Sequence, residues 1–385
     1  MYTKSSMQTK TIEASVEGGK GYSVSIGLGL EKELQEIVSR EGGENRIVVI
    51  TDKRVEKFFG AQILSALEIP LPAPHARQAG GKPVELYSFS EGERNKNQKT
   101  VTALQHELLN GRYGRDTLII AVGGGIVGDV GGFVAATYMR GVPYINVPTT
   151  LLAMVDSSIG GKVGIDTKYG KNTIGSFWQP RAVIMDIQYL AKMPREQIIN
   201  GLLEAVKTFM TSDREALSLV EKLNLDEPLE NPEVLQEIIF RSVNIKVGVT
   251  SRDVREGGER MVLNFGHTIG HAIELLSGYR LPHGFAVGYG ILAEAKISEL
   301  LGILSPADCA EIYKHFARLG ITPKDFPQHS PEKILEATLG DKKTRGGVPR
   351  YVLLESIGKV QVKEGKFAHP VADDVVTKAL QDLRQ

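Results

Sequence analysis

Short, unbroken apolar runs alternate with longer stretches of helical spacing through the first half of the chain. Arg46-Ile-Val-Val-Ile-Thr51 predicts a buried strand ending at Asp52, and Thr117 to Val122 a second one that runs into three consecutive glycines. Between them Val101, Leu104, Leu108 and Leu109 recur at helical intervals over 97–112. Gly128 to Met139 predicts a helix of small residues, and Pro143 to Val147 and Ala182 to Met185 two further strands. Alternation of this kind predicts a mostly parallel sheet with helices against its faces. After about residue 188 the pattern changes. Residues 195–222, 232–250, 259–277 and 285–302 carry apolar positions three and four apart, the spacing of helices. Strand-like segments return only at Arg350 to Leu354 and Val360 to Val362. The expected architecture is an α/β domain over 1–188, followed by a mainly α-helical domain over 189–385.

Composition narrows the classes. A chain of 385 residues can bury a core without staples. Its 46 Lys and Arg balance 46 Asp and Glu, which argues against a nucleic-acid coat or a polybasic membrane binder. The single cysteine, Cys309, cannot form an intramolecular disulfide or build an iron–sulfur or Cys-rich zinc site. No run approaches 18 apolar residues, and Met1 to Lys10 reads as a frayed polar tail rather than a secretory signal. A cytoplasmic protein is therefore expected. Leu71 to Pro83, dense in Pro and Gly, predicts a surface loop. The chain has 42 glycines, and nine of them cluster at 123–132 and 160–164, beside apolar runs, where backbone turns tightly or approaches a ligand.

Three constellations carry candidate chemistry. Gly123-Gly-Gly-Ile-Val-Gly-Asp129 stands between a strand and a helix, where backbone N–H groups can face a pyrophosphate. Tight strand–helix packing explains the same glycines, since the spacing is not the regular G-x-G-x-x-G. Asp129 and Asp52 each suit a helix cap or a cofactor hydroxyl. Pro148 to Lys162 offers the hydroxyls of Thr149 and Thr150, and a glycine pair ahead of Lys162. With Lys168, Lys171, Asn172 and Arg140 it could recognise a phosphate or carboxylate. In Asn264-Phe-Gly-His267-Thr-Ile-Gly-His271, the histidines lie four apart on one helix face, with His283 beyond. That spacing nominates both His267 and His271 as metal ligands without deciding between them, and it lacks the Glu of a zincin. Glu204 and Lys207 suit an ordinary surface pair, although Leu202-Leu203 and Ala205-Val206 flank the glutamate. One carboxylate and two imidazoles with positions left open would be a catalytic metal arrangement.

The segment GGGIVGDVGGFVAATYMRGVPYINVPTTLLAMVDSSIGGKVGID, then GKNTIGSFWQP, GLLEAVK, LNFGHTIGHAIE and HGFAV, closely resembles the 3-dehydroquinate synthase family of sugar-phosphate cyclases. The likeness runs from about Asp52 to the Asp-Lys-Lys at 341–343. It implies a Rossmann-like NAD-binding first domain, a metal- and substrate-binding second domain, and a homodimer. It also implies conversion of 3-deoxy-D-arabino-heptulosonate 7-phosphate to 3-dehydroquinate and phosphate, with NAD and one divalent metal, zinc or cobalt. In that reaction NAD takes a hydride and returns it, so there is no net redox, and the substrate phosphate can accept the elimination proton.

By the same resemblance Glu204, His267 and His283 hold the metal, and His271 becomes a substrate-side residue. Asp156, Lys162, Asn172, Lys207, Lys246, Arg260 and Asn264 match substrate positions, and Lys342 is favoured over Lys343 for another. Arg140 matches a phosphate contact made across a subunit boundary. The NAD positions are Asp52, then Glu91, Gly92, Glu93, Arg94, Asn95 and Lys96. Gly124, Gly125, Ile126, Val127, Gly128 and Asp129 follow, with Thr149, Thr150, Lys162 and Lys171. Two departures stand out. Phe285 occupies the place of a glutamate in the usual His-Gly-Glu, so a carboxylate supporting the metal ligands is expected to be missing. GLLEAVKTF also departs from the commoner form with Ala before the Glu and Tyr after the Lys. The alternatives are a cyclase of 2-deoxy-scyllo-inosose or valiolone type and an inactive NAD-binding paralogue; Asn264 and His271 favour the dehydroquinate reaction over the valiolone type. Ile126 and Leu151-Leu152-Ala153 disfavour an iron-type alcohol dehydrogenase.

Overall fold

The apolar runs become the centre of a seven-stranded sheet in a computed structural model that describes residues 7–16, 19–42, 46–67, 84–254, 256–339 and 348–384. In chain order the strands are β1 (Lys10–Ala14), β2 (Tyr22–Gly27), β3 (Arg46–Asp52), β4 (Glu85–Phe89), β5 (Thr117–Gly123) and β6 (Tyr144–Pro148). A separate antiparallel hairpin, β7 (Lys162–Thr167) and β8 (Gly170–Phe177), precedes the last sheet strand, β9 (Ala182–Asp186). The spatial order is β1-β2-β9-β6-β5-β3-β4, and every pairing except β1 with β2 is parallel. All residues of β5, β6 and β9 are buried, which is why these strands read as continuous rather than alternating apolar runs.

Side chains alternate across the sheet. Val48 and Ile50 face the helices Gln98–Asn110 and Gly125–Thr137, while Val49 faces the helices Glu31–Gly42 and Lys53–Leu67. β4 lies on one side of β3 and β5 on the other, so the strand order reverses between β3 and β5. Their carboxyl ends therefore flank a topological switch point, the place where open parallel sheets bind ligands.

The chain divides into two compact units between Met193 and Pro194. In the second, the helix Arg195–Ser212 is buried at every position from Ile198 to Thr211. The spacing predicted one helix over 195–222, but Asp213 leaves helical geometry and its carboxylate accepts the Ala216 N–H at 3.3 Å, so a short helix Leu217–Lys222 follows. The predicted helix over 259–277 likewise breaks at Gly266, whose φ of 77° is open to glycine, and resumes as His267–Leu276. Helices Pro232–Arg252, His283–Leu300, Pro306–Arg318, Pro331–Leu339 and Asp373–Asp382 complete this unit. Lys10, expected in a frayed tail, opens β1. The Leu71 to Pro83 loop lies outside the described residues. Among the described residues no helix is long and apolar enough to cross a membrane.

Candidate active site

In the first unit the neighbouring strands β4, β3, β5 and β6 end at Phe89, Asp52, Gly123 and Pro148. Most of the predicted dinucleotide residues stand at or just after these ends, so one edge of the sheet brings together Glu91–Lys96, Asp52, Gly124–Asp129 and Thr149–Thr150, whereas Lys162 and Lys171 lie on the β7–β8 hairpin. The two readings of the glycines divide between them. A Cβ on Gly123 would stand 2.4 Å from Val127 Cγ2, and one on Gly132 2.5 Å from Val163 Cγ1, so these glycines serve packing. Gly124 is the N-cap of Gly125–Thr137, extended and without a side chain, and the first bond of the helix runs from Gly128 N to Gly124 O. The N–H groups of Gly125, Ile126 and Val127 have no acceptor within the helix, and its positive end lies with them. Thr149 N donates to Gly123 O at 2.9 Å and ties the two turns together.

Asp52 Oδ1 accepts Val55 N–H at 2.8 Å and caps the helix Lys53–Leu67. Asp129 does not cap its helix. Standing one turn inside it, Asp129 takes the ammonium of buried Lys96 at 2.6 Å. Lys96 Nζ also donates to Asn172 Oδ1, and Lys171 lies 3.8 Å from Glu93. Burial pulls the Lys96 ammonium down, but the carboxylates of Asp129, Glu93 and Asp166 outweigh it and hold the group above its ordinary value. Burial pushes Glu93 up, with Lys171 opposing. Sequence reasoning overlooked Asp166: its N–H donates to Lys96 O at 2.8 Å, and its Oδ1 accepts from Asn172 N at 2.7 Å. Asn172 sits at φ 50° and Arg140 at φ 68°, conformations uncommon outside glycine. Arg140 and Lys162 are exposed, and Asp156 is half-buried in the turn Ala153–Ser157.

In the second unit three helices meet through glycine and one asparagine. A Cβ on Gly290 would fall 1.9 Å from Gly266 O, so the helix His283–Leu300 passes directly over the backbone that leads into His267. Gly284 N–H donates to Asn200 Oδ1 at 2.8 Å, which caps that helix from Arg195–Ser212. Glu204 is four residues beyond Asn200 on the same face, so the cap brings His283 beside Glu204. Glu204 Oε1 lies 3.5 Å from His283 Nε2 and 3.8 Å from His267 Nε2. All three side chains converge, with a ligand atom of each within 4.8 Å of the others.

These distances suit a shared cation. Ligand atoms about 2.0–2.2 Å from a tetrahedral zinc lie about 3.3–3.6 Å apart, which the His283 separation matches and the His267 separation slightly exceeds. His267 Nδ1 lies 3.2 Å from Phe265 O, so its proton belongs there and Nε2 keeps its lone pair. The Glu204–Lys207 pair, read from spacing as an ordinary surface pair, is buried, with Lys207 Nζ 2.6 Å from Glu204 Oε2.

Lys246, Arg260 and Asn264 are also buried in this unit. Arg260 Nη1 donates to Val254 O at 2.8 Å and Asn264 Nδ2 to Glu256 Oε1 at 2.8 Å. His271 stacks edge-on to His267 at 5.3 Å and joins a second convergent group, His271, Glu274 and His283. Lys342 lies outside the described residues. Asn200 and Glu274 also escaped sequence reasoning. Their signal was periodic: Asn200 precedes Glu204 by one turn, and Glu274 follows His267 by two.

A mostly parallel sheet with a glycine turn at its switch point, followed along the chain by a helical unit carrying two imidazoles beside one carboxylate, has a close structural counterpart. The chain is similar to 2-deoxy-scyllo-inosose synthase solved with carbaglucose-6-phosphate, NAD+ and Co2+, with a TM-score of 0.83 and 26% identity over 97% of this chain and 99% of that one. Family profiles described as 3-dehydroquinate synthase N-terminal and C-terminal match residues 86–200 and 201–344. The chain is 37% identical to 3-dehydroquinate synthase of Pelobacter propionicus, covering 89% of this chain and 92% of that protein. It is also 39% identical to the pentafunctional AROM polypeptide of Candida tropicalis, over 94% of this chain and 24% of that polypeptide. It thus spans about a quarter of the length of such fungal relatives. The chain belongs to the 3-dehydroquinate synthase family.

Proposed function

We propose that the chain converts 3-deoxy-D-arabino-heptulosonate 7-phosphate to 3-dehydroquinate and phosphate, as a carbon–oxygen lyase of the shikimate pathway. Its cofactors in this reading are NAD and one divalent metal, zinc or cobalt, held by Glu204, His267 and His283. The convergence of those three side chains, in a chain of this family, is the observation that carries the reading. When bound, NAD supplies a hydride acceptor and donor at a substrate hydroxyl, and the metal polarises that hydroxyl.

The chain's own residues bind and orient. The free N–H groups at the start of Gly125–Thr137 suit the pyrophosphate of the dinucleotide. Asp52, Glu91–Lys96, Asp129, Thr149, Thr150, Lys162 and Lys171 line that side. The substrate is anionic at its phosphate and at its carboxylate, and Lys207, Lys246 and Arg260 are buried cations. A cluster of cations suits recognition of an anionic substrate by charge-assisted hydrogen bonds. Asn264, His271, Asp156, Lys162, Asn172 and Lys342 supply its remaining contacts. Exposed Arg140 reaches the phosphate bound by a neighbouring subunit, making the working unit a homodimer. No nucleic acid or membrane takes part, and the protein works in the cytoplasm.

The likeness to 2-deoxy-scyllo-inosose synthase favours a second reading, a cyclase acting on a hexose phosphate. One assay separates them. Purified protein with NAD and zinc or cobalt is given the heptulosonate phosphate, and phosphate and dehydroquinate are followed together with and without chelator. Equal, chelator-sensitive release of both supports the first reading. Release from glucose 6-phosphate alone supports the second, and silence with both substrates, with NAD still bound, identifies an inactive paralogue.

A further inference from the structure

Beside the proposed metal ligands stands a buried carboxylate with no role in the reaction described above. Glu274 lies on the helix that begins at His267, and its Oε2 is 3.4 Å from His283 Nδ1. The other nitrogen of that ring faces Glu204 Oε1. A neutral imidazole has one N–H and one lone pair, so a proton held on Nδ1 leaves the lone pair on Nε2, toward Glu204. His267 is fixed in the same sense by the Phe265 carbonyl. His283 has the greater need of such a partner, because its side chain is 30% exposed against 10% for His267. Phe285, two residues after His283, offers no acceptor where the family resemblance led us to expect a carboxylate.

We propose that Glu274 is a positioning residue for His283, holding its Nδ1 proton and so setting the ring and tautomer with which it binds metal. This rests on the metal reading above. It also assigns the second convergent group, His271, Glu274 and His283, to support of the site rather than to a second cation.

The test is equilibrium Co(II) and Zn(II) binding to metal-stripped full chain, measured by competition with a chromophoric chelator and by the visible Co(II) spectrum. Glu274→Ala should bind about 10–100-fold more weakly than the parent. Glu274→Gln should recover affinity to within about fivefold with the parent Co(II) spectrum, because its amide oxygen still accepts the Nδ1–H. Parent-like affinity in Glu274→Ala overturns the proposal. So does a Glu274→Gln variant as weak as Glu204→Ala, which would make Glu274 a ligand. Should the alanine variant fail to fold, 15N NMR of zinc-loaded parent protein decides: a proton on His283 Nδ1 supports the proposal, and one on Nε2 overturns it. A parent chain that binds neither metal overturns the metal reading itself and this inference with it.

Discussion

Replacing Gly284 with alanine tests whether the glycine contact at Asn200 sets the geometry of the metal group. The added Cβ would stand 2.1 Å from Asn200 O, 2.9 Å from its Oδ1 and 3.0 Å from its carbonyl carbon. Two of these atoms are backbone of a helix buried from Ile198 to Thr211, so no flexible tip can yield; the helices must separate by about 1 Å. Separation strains the 2.8 Å bond from Gly284 N–H to Asn200 Oδ1 and carries His283 away from Glu204. Overpacking of this kind costs about 1–3 kcal/mol, and a lost buried hydrogen bond about 1 kcal/mol more. At about 2–4 °C per kcal/mol for a unit of this size, the metal-free protein should melt about 5–15 °C lower. Metal affinity should fall about tenfold or more, since ligand sets tolerate only about 0.5 Å of misplacement. Gly248→Ala is the control: its Cβ would meet only the Arg252 guanidinium, at 3.4 Å, within a regular helix, and should stabilise by about 0.4–1 kcal/mol. Thermal unfolding of both variants with chelator competition for zinc reads the result. A Gly284→Ala protein within about 0.5 kcal/mol of the parent and with parent-like zinc affinity would refute the reasoning.

Four other outcomes are expected. His267→Ala should abolish metal retention and turnover while NAD binding stays measurable, and full activity in that variant would remove His267 from the ligand set. Lys96→Met leaves the Asp129 carboxylate without its cation and should cost about 3 kcal/mol in urea unfolding, with Asp129→Asn in the same chain restoring part of it; a double variant no more stable than the single one would argue against the pair. Burial alone would raise Asp253, but N–H donors from Gly257, Gly258 and Arg260 hold it below the usual carboxylate range. Its contribution is complete above the unfolded value of about 3.9 and is lost as pH falls through the lower native value, so protection of the Gly257 and Gly258 amides should be flat between about pH 5 and 8 and decline only in acid. Burial pushes the Cys309 thiol up to about 12, so alkylation near neutral pH should track global unfolding, and fast labelling of native protein would contradict that environment.

The parts of the fold legible in the sequence are those in which burial is two-sided. β3, β5, β6 and β9 are apolar because helices cover both faces of the sheet, and apolar runs are what a period-based reading detects. The hairpin β7–β8 escaped because its strands approach through glycine: a Cβ on Gly164 would stand 2.6 Å from Ile174 O, and one on Gly175 2.3 Å from Val163 O. Such positions exclude the β-branched residues that signal a strand. The predicted helices 195–222 and 259–277 are each interrupted in the structure for a related reason. Hydrophobic period continues across Asp213 and Gly266, and only the local chemistry of a carboxylate cap and a left-handed glycine stops the helix.

The candidate site divides in the same way. His267 and His271 share a helix face by spacing alone, but spacing carries no information about a partner on another helix, and so could not choose between them. What distinguishes His267 is where its Nε2 lies relative to Glu204, and that depends on Gly290 passing over Gly266 and on Asn200 capping the helix at Gly284. Neither of these two contacts involves a chemically reactive side chain, so a search for reactive residues passes over both. The carboxylate expected to be missing at Phe285 shows the converse. A gap beside a ligand in the sequence says little about the space around that ligand, because Glu274 reaches the same imidazole from a different helix. Identity of ligand types is thus a local property of the chain, whereas their orientation is a property of helix packing. The residues that set orientation are therefore to be sought among glycines at close backbone approaches and polar groups bonded across helices.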